Sequence, residues 1–320
     1  MTARLSRKAV LARLAAAHDP VILIHVKPDG DAVGSAVALA HFYHDRGHAV
    51  SLLCADPIPA RLSFLLGGLT LTPYTGRAGR TVLTLDVASE GQLGSLSDGF
   101  GAETPPDFSI DHHERCTPVA PCYCRPHAAA TGEILVDLLG ALTEPAGLTP
   151  PMATALFAAI ASDTGCFRFP NATGATHRAA ARLIDLGIDA GRVNHLLFES
   201  KTPAQLKAEA ATADRTVLAA DGRIAYASLD RALLDRFGEE NFETSIDIVR
   251  AVAGVTIAFT LKEQQGGSLR VSLRATTANV AAVAALHGGG GHARAAGCTL
   301  RGTTAENAAE ALVRELTPLA

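Results

Sequence analysis

One imidazole and two carboxylates lie within seven residues of each other, in the segment His25-Val-Lys-Pro-Asp29-Gly-Asp31. The segment follows an apolar run at residues 21–24 and precedes a helical pattern at residues 35–46. Open α/β sheets bind ligands at such strand ends. Carboxylates packed this closely repel each other unless a cation lies between them. The pattern therefore favours a metal site over the alternative, a solvated Asp-Gly turn.

Further acidic and imidazole side chains close later apolar segments, namely Asp86, Asp111, His112, His113 and Asp163. Singly, each could instead cap a helix or lie on the surface. Together with the first segment they supply more ligands than one ion requires, and such a set suits two ions about 3.5–4 Å apart. Imidazole and carboxylate ligands without thiolates favour Mn²⁺, with Mg²⁺ as the alternative, over structural zinc.

A second candidate site is the sequence His-Gly-Gly-Gly-Gly-His-Ala-Arg-Ala-Ala-Gly at residues 287–297. A glycine loop lets backbone N–H groups approach a phosphate closely, and His292 adds a donor. A glycine run by itself is more typical of a flexible linker, so both interpretations stay open here.

The elements that must position these residues follow from hydrophobic periodicity. In the first half, strand-like runs alternate with helical patterns and lie at residues 21–24, 49–54, 81–87 and 108–111. This alternation predicts a mainly parallel sheet flanked by helices. In the second half, strand-like runs at residues 255–262 and 268–274 predict a hairpin.

The predicted fold class is therefore α/β, with two domains of unequal size. A larger N-terminal domain is expected at residues 1–190 and a linker helix at residues 191–215. A smaller α/β domain is expected at residues 216–320.

Composition narrows the class of protein. With 320 residues, of which 48% are hydrophobic and 19% charged, the chain suits a globular protein of two domains. Its formal net charge of −4 argues against binding long nucleic acid, which usually requires a basic excess. No apolar run approaches the roughly 20 residues that cross a bilayer, so no membrane association is expected. The six cysteines are expected to be reduced thiols of a cytoplasmic protein, and Cys122 and Cys124 alone are weak grounds for zinc.

The order of these motifs resembles that of the DHH superfamily of phosphoesterases, and the Gly-Gly-Gly-His segment is similar to its DHHA1 companion domain. The resemblance implies that two divalent ions are held by six residues: His25, Asp29, Asp31, Asp86, His112 and Asp163. In that scheme Asp86 bridges the ions, Asp111 orients a neighbouring histidine or ligand, and His113 faces the scissile phosphate. In the DHHA1 part, the resemblance implies phosphate binding by Arg274, Gly289, Gly290, Gly291 and His292.

Within the superfamily, the chain resembles the small bacterial enzymes that degrade nanoRNA, since no OB-fold, transmembrane or DHHA2 segment is expected in it. The resemblance implies hydrolysis of short oligoribonucleotides such as pApA to mononucleotides, and removal of the 3′-phosphate of pAp. Short RNA and adenine nucleotides are the expected partners, and a homodimer is also expected because relatives often pair. Two alternatives stay open: a cyclic dinucleotide phosphodiesterase, and a protein that senses a nucleotide without cutting it.

Overall fold

The computed structural model describes residues 3–114, 116–144 and 146–320, and the chain divides into two units, Met1–Ser200 and Lys201–Ala320. Each unit has its own sheet and its own apolar core. The first sheet is parallel, the second is mixed, and helices accompany both, so the predicted α/β class is confirmed.

The strands of the first unit are β1 (Val21–Leu23), β2 (Ser51–Leu53), β3 (Val82–Leu85), β4 (Phe108–Asp111) and β5 (Cys122–Cys124). They form one sheet in the order β2-β1-β3-β4-β5, and every neighbouring pair is parallel. All five strands therefore have their carboxyl ends along one edge. The segments that follow β1, β3 and β4 converge there, which is the usual ligand-binding edge of such a sheet.

The helices of the first unit are α1 (Arg7–Ala16), α2 (Gly30–His44), α3 (Ser97–Phe100), α4 (Thr131–Thr143), α5 (Pro150–Asp163), α6 (Gly174–Ile184) and α7 (Ala190–Asn194). Apolar residues cover both faces of the sheet. In β1, Ile22 packs into a core built mainly with α2, α4 and α5, whereas Val21 and Leu23 pack with Phe100 on the other face. A register shift of one residue would exchange the two faces, so the two cores fix the pairing.

Helices α2, α4 and α5 approach each other closely because glycine lies at their contacts. A Cβ added at Gly34 of α2 would lie 2.5 Å from the backbone oxygen of Ala155 in α5. A Cβ added at Gly132 of α4 would lie 2.5 Å from the Cβ of Ala159 in α5 and 3.4 Å from a carboxylate oxygen of Asp31. These two glycines therefore let the three helices bring Asp31 and the end of α5 together.

The strands of the second unit are β6 (Thr216–Ala219), β7 (Ile224–Leu229), β8 (Ile257–Glu263), β9 (Leu269–Ala275), β10 (Gly290–His292) and β11 (Ala295–Leu300). Their order is β10-β11-β9-β8-β7-β6, with β7 and β8 parallel and the other neighbours antiparallel. The predicted hairpin is confirmed, since it corresponds to β8 and β9.

The helices of the second unit are α8 (Pro203–Asp214), α9 (Arg231–Phe237), α10 (Ser245–Arg250), α11 (Val280–Leu286) and α12 (Ala305–Leu316). Apolar residues of α11 and α12 join one core of the sheet, and Ile246 and Val249 of α10 pack in another. Over the described ranges, no helix is long and apolar enough to cross a membrane.

Two predicted helices differ from the observed ones. The helix predicted at residues 35–46 begins at Gly30 instead, because Asp29 caps it. The segment predicted as one linker helix at residues 191–215 comprises part of α7, a π-helical turn at His195–Glu199, and α8. The helix restarts at a proline, which lacks the N–H group that an interior helical position donates.

Replacing Gly34 by alanine tests the close approach of α2 and α5. The added methyl group meets backbone atoms of Ala155 and Ala159 rather than a flexible side chain. We expect this overpacking to lower the free energy of unfolding by about 2 kcal/mol. Thermal unfolding followed by circular dichroism measures the change. The control is Gly99→Ala, because a Cβ at Gly99 would have no neighbour within 4 Å; equal losses in both variants would contradict the packing argument.

Candidate active site

Side chains from strand ends and helix ends converge at the carboxyl edge of the first sheet. His25 follows β1, Asp86 follows β3 and Asp111 ends β4. Asp31 lies in the first turn of α2, and Asp163 is the last residue of α5. Segments far apart in the sequence therefore bring the predicted site residues of the first unit to one edge.

The N-terminus of α2 positions two of the carboxylates. Asp29 is the N-cap, and its Oδ1 accepts hydrogen bonds from the backbone N–H groups of Asp31 and Ala32, each at 3.0 Å. The same Oδ1 lies 3.7 Å from Nε2 of His25. Asp29 therefore starts the helix that carries Asp31 and also faces the imidazole that follows β1.

Asp31 is a fully buried carboxylate held by three donors. Its Oδ1 accepts hydrogen bonds from Oγ of Ser35 and the backbone N–H of Gly132, each at 2.9 Å, and its Oδ2 accepts one from the backbone N–H of Thr131 at 2.6 Å. The two N–H groups belong to the first turn of α4, where the helix dipole favours negative charge.

Sequence reasoning missed these three donors. Ser35 lies one helical turn after Asp31, so its spacing was a usable signal. Thr131 lies 100 residues away from Asp31, and no local pattern in the sequence connects the two.

Asp86 lies between two histidines. Its Oδ2 is 3.6 Å from Nε2 of His25, and its Oδ1 is 3.5 Å from Nε2 of His112. Oγ1 of Thr131 donates a hydrogen bond to Oδ1 at 3.1 Å. The residue is almost completely buried, and its φ of 60° is a left-handed conformation that aspartate adopts more readily than most residues. The chain therefore turns sharply after β3 at the residue whose two oxygens face different imidazoles.

The two histidines direct Nε2 at the carboxylates. Nδ1 of His25 lies 2.7 Å from the carbonyl oxygen of Val26, and Nδ1 of His112 lies 3.2 Å from that of Ala128. Because a carbonyl only accepts, Nδ1 carries the proton in each ring. Nε2 of each ring then faces carboxylate oxygens 3.2–3.8 Å away. Metal-ligating histidines commonly show this arrangement.

Three groups of ligand atoms lie here, and within each group the atoms are within 4.8 Å of one another. Two of them share no residue: His25, Asp29 and Asp86 in one, and Asp31, His112 and Asp163 in the other. The third group, Asp86, His112 and His113, overlaps both. Asp86 contacts both groups through different oxygens. Imidazole nitrogens and carboxylate oxygens suit a hard divalent cation such as Mn²⁺ or Mg²⁺. The described residues therefore fit two ions that share one carboxylate.

The electrostatics of the site favour added positive charge. Burial disfavours a charged imidazole, but the attraction of Asp29 and Asp86 outweighs it and raises the pKa of His25 to about 12. Burial and the charges of Asp86 and Asp163 raise the pKa of Asp31 well above its usual range. A divalent cation that replaces protons at such ligands relieves both effects.

Asp111 holds His113 in a fixed orientation. It is fully buried, and its Oδ1 lies 2.7 Å from Nδ1 of His113 and accepts the backbone N–H groups of His112 and His113. Its Oδ2 accepts a hydrogen bond from Sγ of Cys116 at 3.1 Å. The hydrogen-bonding capacity of this carboxylate is thus used within the protein, which suits an orienting role better than metal ligation.

In the second unit, the glycine segment is an edge strand, so the expectation of a glycine loop is wrong. Gly290–His292 forms β10 and pairs antiparallel with β11. A Cβ at Gly289 would collide with the backbone oxygen of Gly297. Gly291 has a φ of 137°, and a Cβ there would lie 2.5 Å from the backbone of β11. Glycine is therefore required for close strand pairing, for which the Ala-Ala-Gly that follows supplies the partner.

Arg274 and the glycine strand line one cavity within the second unit, which has a volume of about 850 Å³. Arg274 lies in β9 opposite Ala295 of β11, and its guanidinium donates a hydrogen bond to the carbonyl of Leu273 at 2.9 Å. Burial lowers the pKa of Arg274, because the charged guanidinium is partly removed from water. A bound anion would offset that cost. His292 lies exposed in β10.

Residues 20–160 match the DHH family, N-terminal domain, and residues 225–317 match the DHHA1 domain. The bifunctional oligoribonuclease and PAP phosphatase NrnA of Thermus thermophilus is 30% identical over 306 residues, which cover 93% of this chain and 89% of that protein. The chain belongs to the DHH and DHHA1 family of phosphoesterases. It is accordingly a hydrolase of phosphoester bonds.

Two solved structures share the fold of this DHH–DHHA1 protein. An exopolyphosphatase-related protein from Bacteroides fragilis has a TM-score of 0.87 at 22% identity, covering 98% of this chain and 96% of that one. A RecJ exonuclease solved with bound manganese has a TM-score of 0.50 at 16% identity, covering 98% and 95%. The two family matches also lie on opposite sides of the boundary between the units.

Replacing Asp86 by asparagine tests whether this carboxylate of the DHH–DHHA1 protein is a ligand that two bound metal ions would share. The variant keeps the shape of the side chain but removes the charge that faces both histidines. We expect affinity for Mn²⁺ to fall by about 100-fold or more, since even groups behind the ligands typically contribute about 10- to 100-fold. Isothermal titration of metal-free protein with Mn²⁺ measures affinity and stoichiometry.

The matched control is Asp98→Asn, an exposed carboxylate in α3. It loses the same charge at an exposed position outside the described ligand groups, so its titration should equal that of the unaltered protein. Unchanged affinity and stoichiometry in Asp86→Asn would contradict the shared-ligand role.

Proposed function

We propose that this protein cleaves short oligoribonucleotides of the pApA type to mononucleotides, and that it also removes the 3′-phosphate of pAp. The observation that carries the proposal is the position of Asp86 between two groups of histidine and aspartate ligands. The choice of substrate is supported by the relative of 30% identity, whose name combines an oligoribonuclease with a PAP phosphatase.

Two divalent ions are part of this proposal, with Mn²⁺ expected and Mg²⁺ as the alternative. Asp86 would contribute to both ions, and the remaining ligands would be His25, Asp29, Asp31, His112 and Asp163. Divalent ions in such a pair lower the pKa of water and offset the charge of phosphate oxygens. The chain's own part is to keep the ligands in place, which it does through the cap at Asp29 and the donors around Asp31.

The proposed catalytic residues are His113, Asp111 and Asp86: His113 would face the scissile phosphate, Asp111 would orient His113, and Asp86 would bridge the ions. Asp111 fixes the imidazole of His113 through Nδ1. Burial disfavours the charged ring, but the hydrogen bond and charge of Asp111 and the charge of Asp86 outweigh this and raise the pKa of His113. A protonated, oriented imidazole can donate a hydrogen bond to a phosphate or leaving-group oxygen.

Recognition of a terminal phosphate is assigned to the second unit. The proposed contacts are the guanidinium of Arg274, the adjacent Gly289, and the β10 residues Gly290, Gly291 and His292. A substrate of a few nucleotides presents few phosphates, so one local anion site is enough. The net charge of −4 agrees with this choice, since long nucleic acid usually requires a basic surface.

A substrate panel tests the proposed function. Metal-free protein is supplied with Mn²⁺ and, in turn, with pApA, a labelled RNA pentamer, pAp, cyclic di-AMP or pyrophosphate. We expect mononucleotides from pApA and the pentamer and phosphate from pAp, with all turnover lost on addition of EDTA and in Asp86→Asn.

Other outcomes of the panel would contradict the proposal. Cleavage of cyclic di-AMP with no turnover of linear substrates would favour the cyclic dinucleotide phosphodiesterase. Nucleotide binding without turnover of any substrate would favour the sensor.

Arg274→Ala tests the phosphate site. We expect KM for pApA to rise by about tenfold or more, because a hydrogen bond to a charged group contributes about 1.5–3 kcal/mol. Hydrolysis of bis(p-nitrophenyl) phosphate, which lacks a terminal phosphate, should change little. Arg274→Lys keeps the positive charge but loses the forked geometry of the guanidinium. Its KM for pApA should therefore lie between the values for the unaltered protein and for Arg274→Ala. Equal losses on both substrates would remove the assigned role.

A further inference from the structure

Three thiols lie beside the Asp111–His113 pair and take no part in the proposed hydrolysis. Cys122 and Cys124 lie two residues apart in β5, so their side chains share one face of the strand. Cys124 lies directly opposite Asp111 in the pairing of β5 with β4. Cys116 precedes β5, and its Sγ and that of Cys124 each contact one member of the Asp111–His113 pair.

Two of these thiols contact the groups that orient His113. Sγ of Cys116 donates a hydrogen bond to Oδ2 of Asp111 at 3.1 Å, while Oδ1 of Asp111 holds Nδ1 of His113. Sγ of Cys124 donates a hydrogen bond to the carbonyl of His113 at 3.4 Å. A covalent change at either sulfur would therefore alter an atom that is hydrogen-bonded directly to His113 or to Asp111.

The three thiols differ in access and in reactivity. Cys122 is buried, whereas Cys116 and Cys124 are partly exposed. The Arg4 guanidinium donates a hydrogen bond to the carbonyl of Cys124 at 3.3 Å, and this nearby positive charge favours the Cys124 thiolate. Since the thiolate is the reactive form, Cys124 is the better nucleophile and Cys116 its accessible neighbour.

We propose that Cys116 and Cys124 form an oxidisable dithiol, a modification site that a hydroperoxide converts into a disulfide with loss of hydrolytic activity. The thiolate of Cys124 attacks one peroxide oxygen, which gives a sulfenic acid and, after protonation, water. The sulfur of Cys116 then displaces the sulfenic oxygen as a second water and forms the S–S bond. Two thiols are thereby oxidised, and one hydrogen peroxide is reduced to two waters.

The disulfide affects the site through Asp111. It consumes the S–H group that Cys116 donates to Oδ2 of Asp111, and it constrains the segment between His113 and β5. The orientation of His113 is then less well defined. The effect on activity rests on the proposed function, whereas the oxidation itself does not.

A thiol count tests the oxidation. Reduced, metal-free protein is treated with hydrogen peroxide, and the peroxide is then destroyed with catalase. The chain is denatured and labelled with a maleimide, and its intact mass is measured by mass spectrometry. All six cysteines should be labelled before oxidation, and two fewer afterwards. Cys116→Ser should instead retain a sulfenic acid on Cys124, which dimedone traps. The control variant Cys298→Ala changes a cysteine of the second unit. Oxidation should still lower its number of labelled thiols by two.

An activity assay tests the consequence, with each variant compared with its own reduced form after Mn²⁺ is added. Oxidation should lower turnover of pApA by about tenfold in the unaltered protein, as expected when an orienting partner is lost, and dithiothreitol should restore it. Cys116→Ser keeps a hydroxyl donor for Asp111 and should retain most of its turnover after the same treatment. Cys124→Ser should do so as well.

Three results would overturn this proposal. They are six labelled thiols after oxidation, an equal loss of activity in Cys116→Ser, and stoichiometric zinc held by the cysteines of the purified protein. If two labels are lost but no substrate of the panel is ever turned over, the dithiol stands and the proposed function fails.

Discussion

Burial of several carboxylates at one edge of the first sheet is the constraint on which the site depends. Asp31, Asp86 and Asp111 are all buried, and each needs compensation for lost hydration. Asp31 and Asp111 receive theirs largely from N–H, O–H and S–H donors of the chain. The side chain of Asp86 accepts a hydrogen bond from Thr131 and faces the imidazoles of His25, His112 and His113. Asp86 is therefore the carboxylate that links the two ligand groups.

The same constraint links helix packing to the site. The first turn of α4 supplies two N–H groups to Asp31, and it reaches that carboxylate because Gly132 lets α4 lie against α5. Gly34 does the same for α2, which carries Asp31. A larger side chain at either glycine would displace a ligand as well as a helix. The geometry of the site therefore depends on the packing of the core.

Much of the site could be predicted from sequence because its residues are chemically distinctive and end apolar runs. His25, Asp86 and the triplet that begins at Asp111 lie where strand ends must meet in a parallel sheet. The donors at Thr131 and Gly132 could not be predicted, since long-range contacts select them. The strand in the glycine segment could not be predicted, because both the segment and its partner in β11 consist largely of small residues that are not typical of strands. The thiol cluster was missed because a C-x-C pair says nothing about a third cysteine until β4 and β5 are paired.

The central claim is that two ions share Asp86, and anomalous diffraction from Mn²⁺-loaded crystals at the manganese edge tests it most directly. The account predicts two peaks about 3.5–4 Å apart. One peak should lie beside His25 and Asp29 and the other beside His112 and Asp163, with Asp86 between them. A single peak, or two peaks that Asp86 does not contact, would contradict the account.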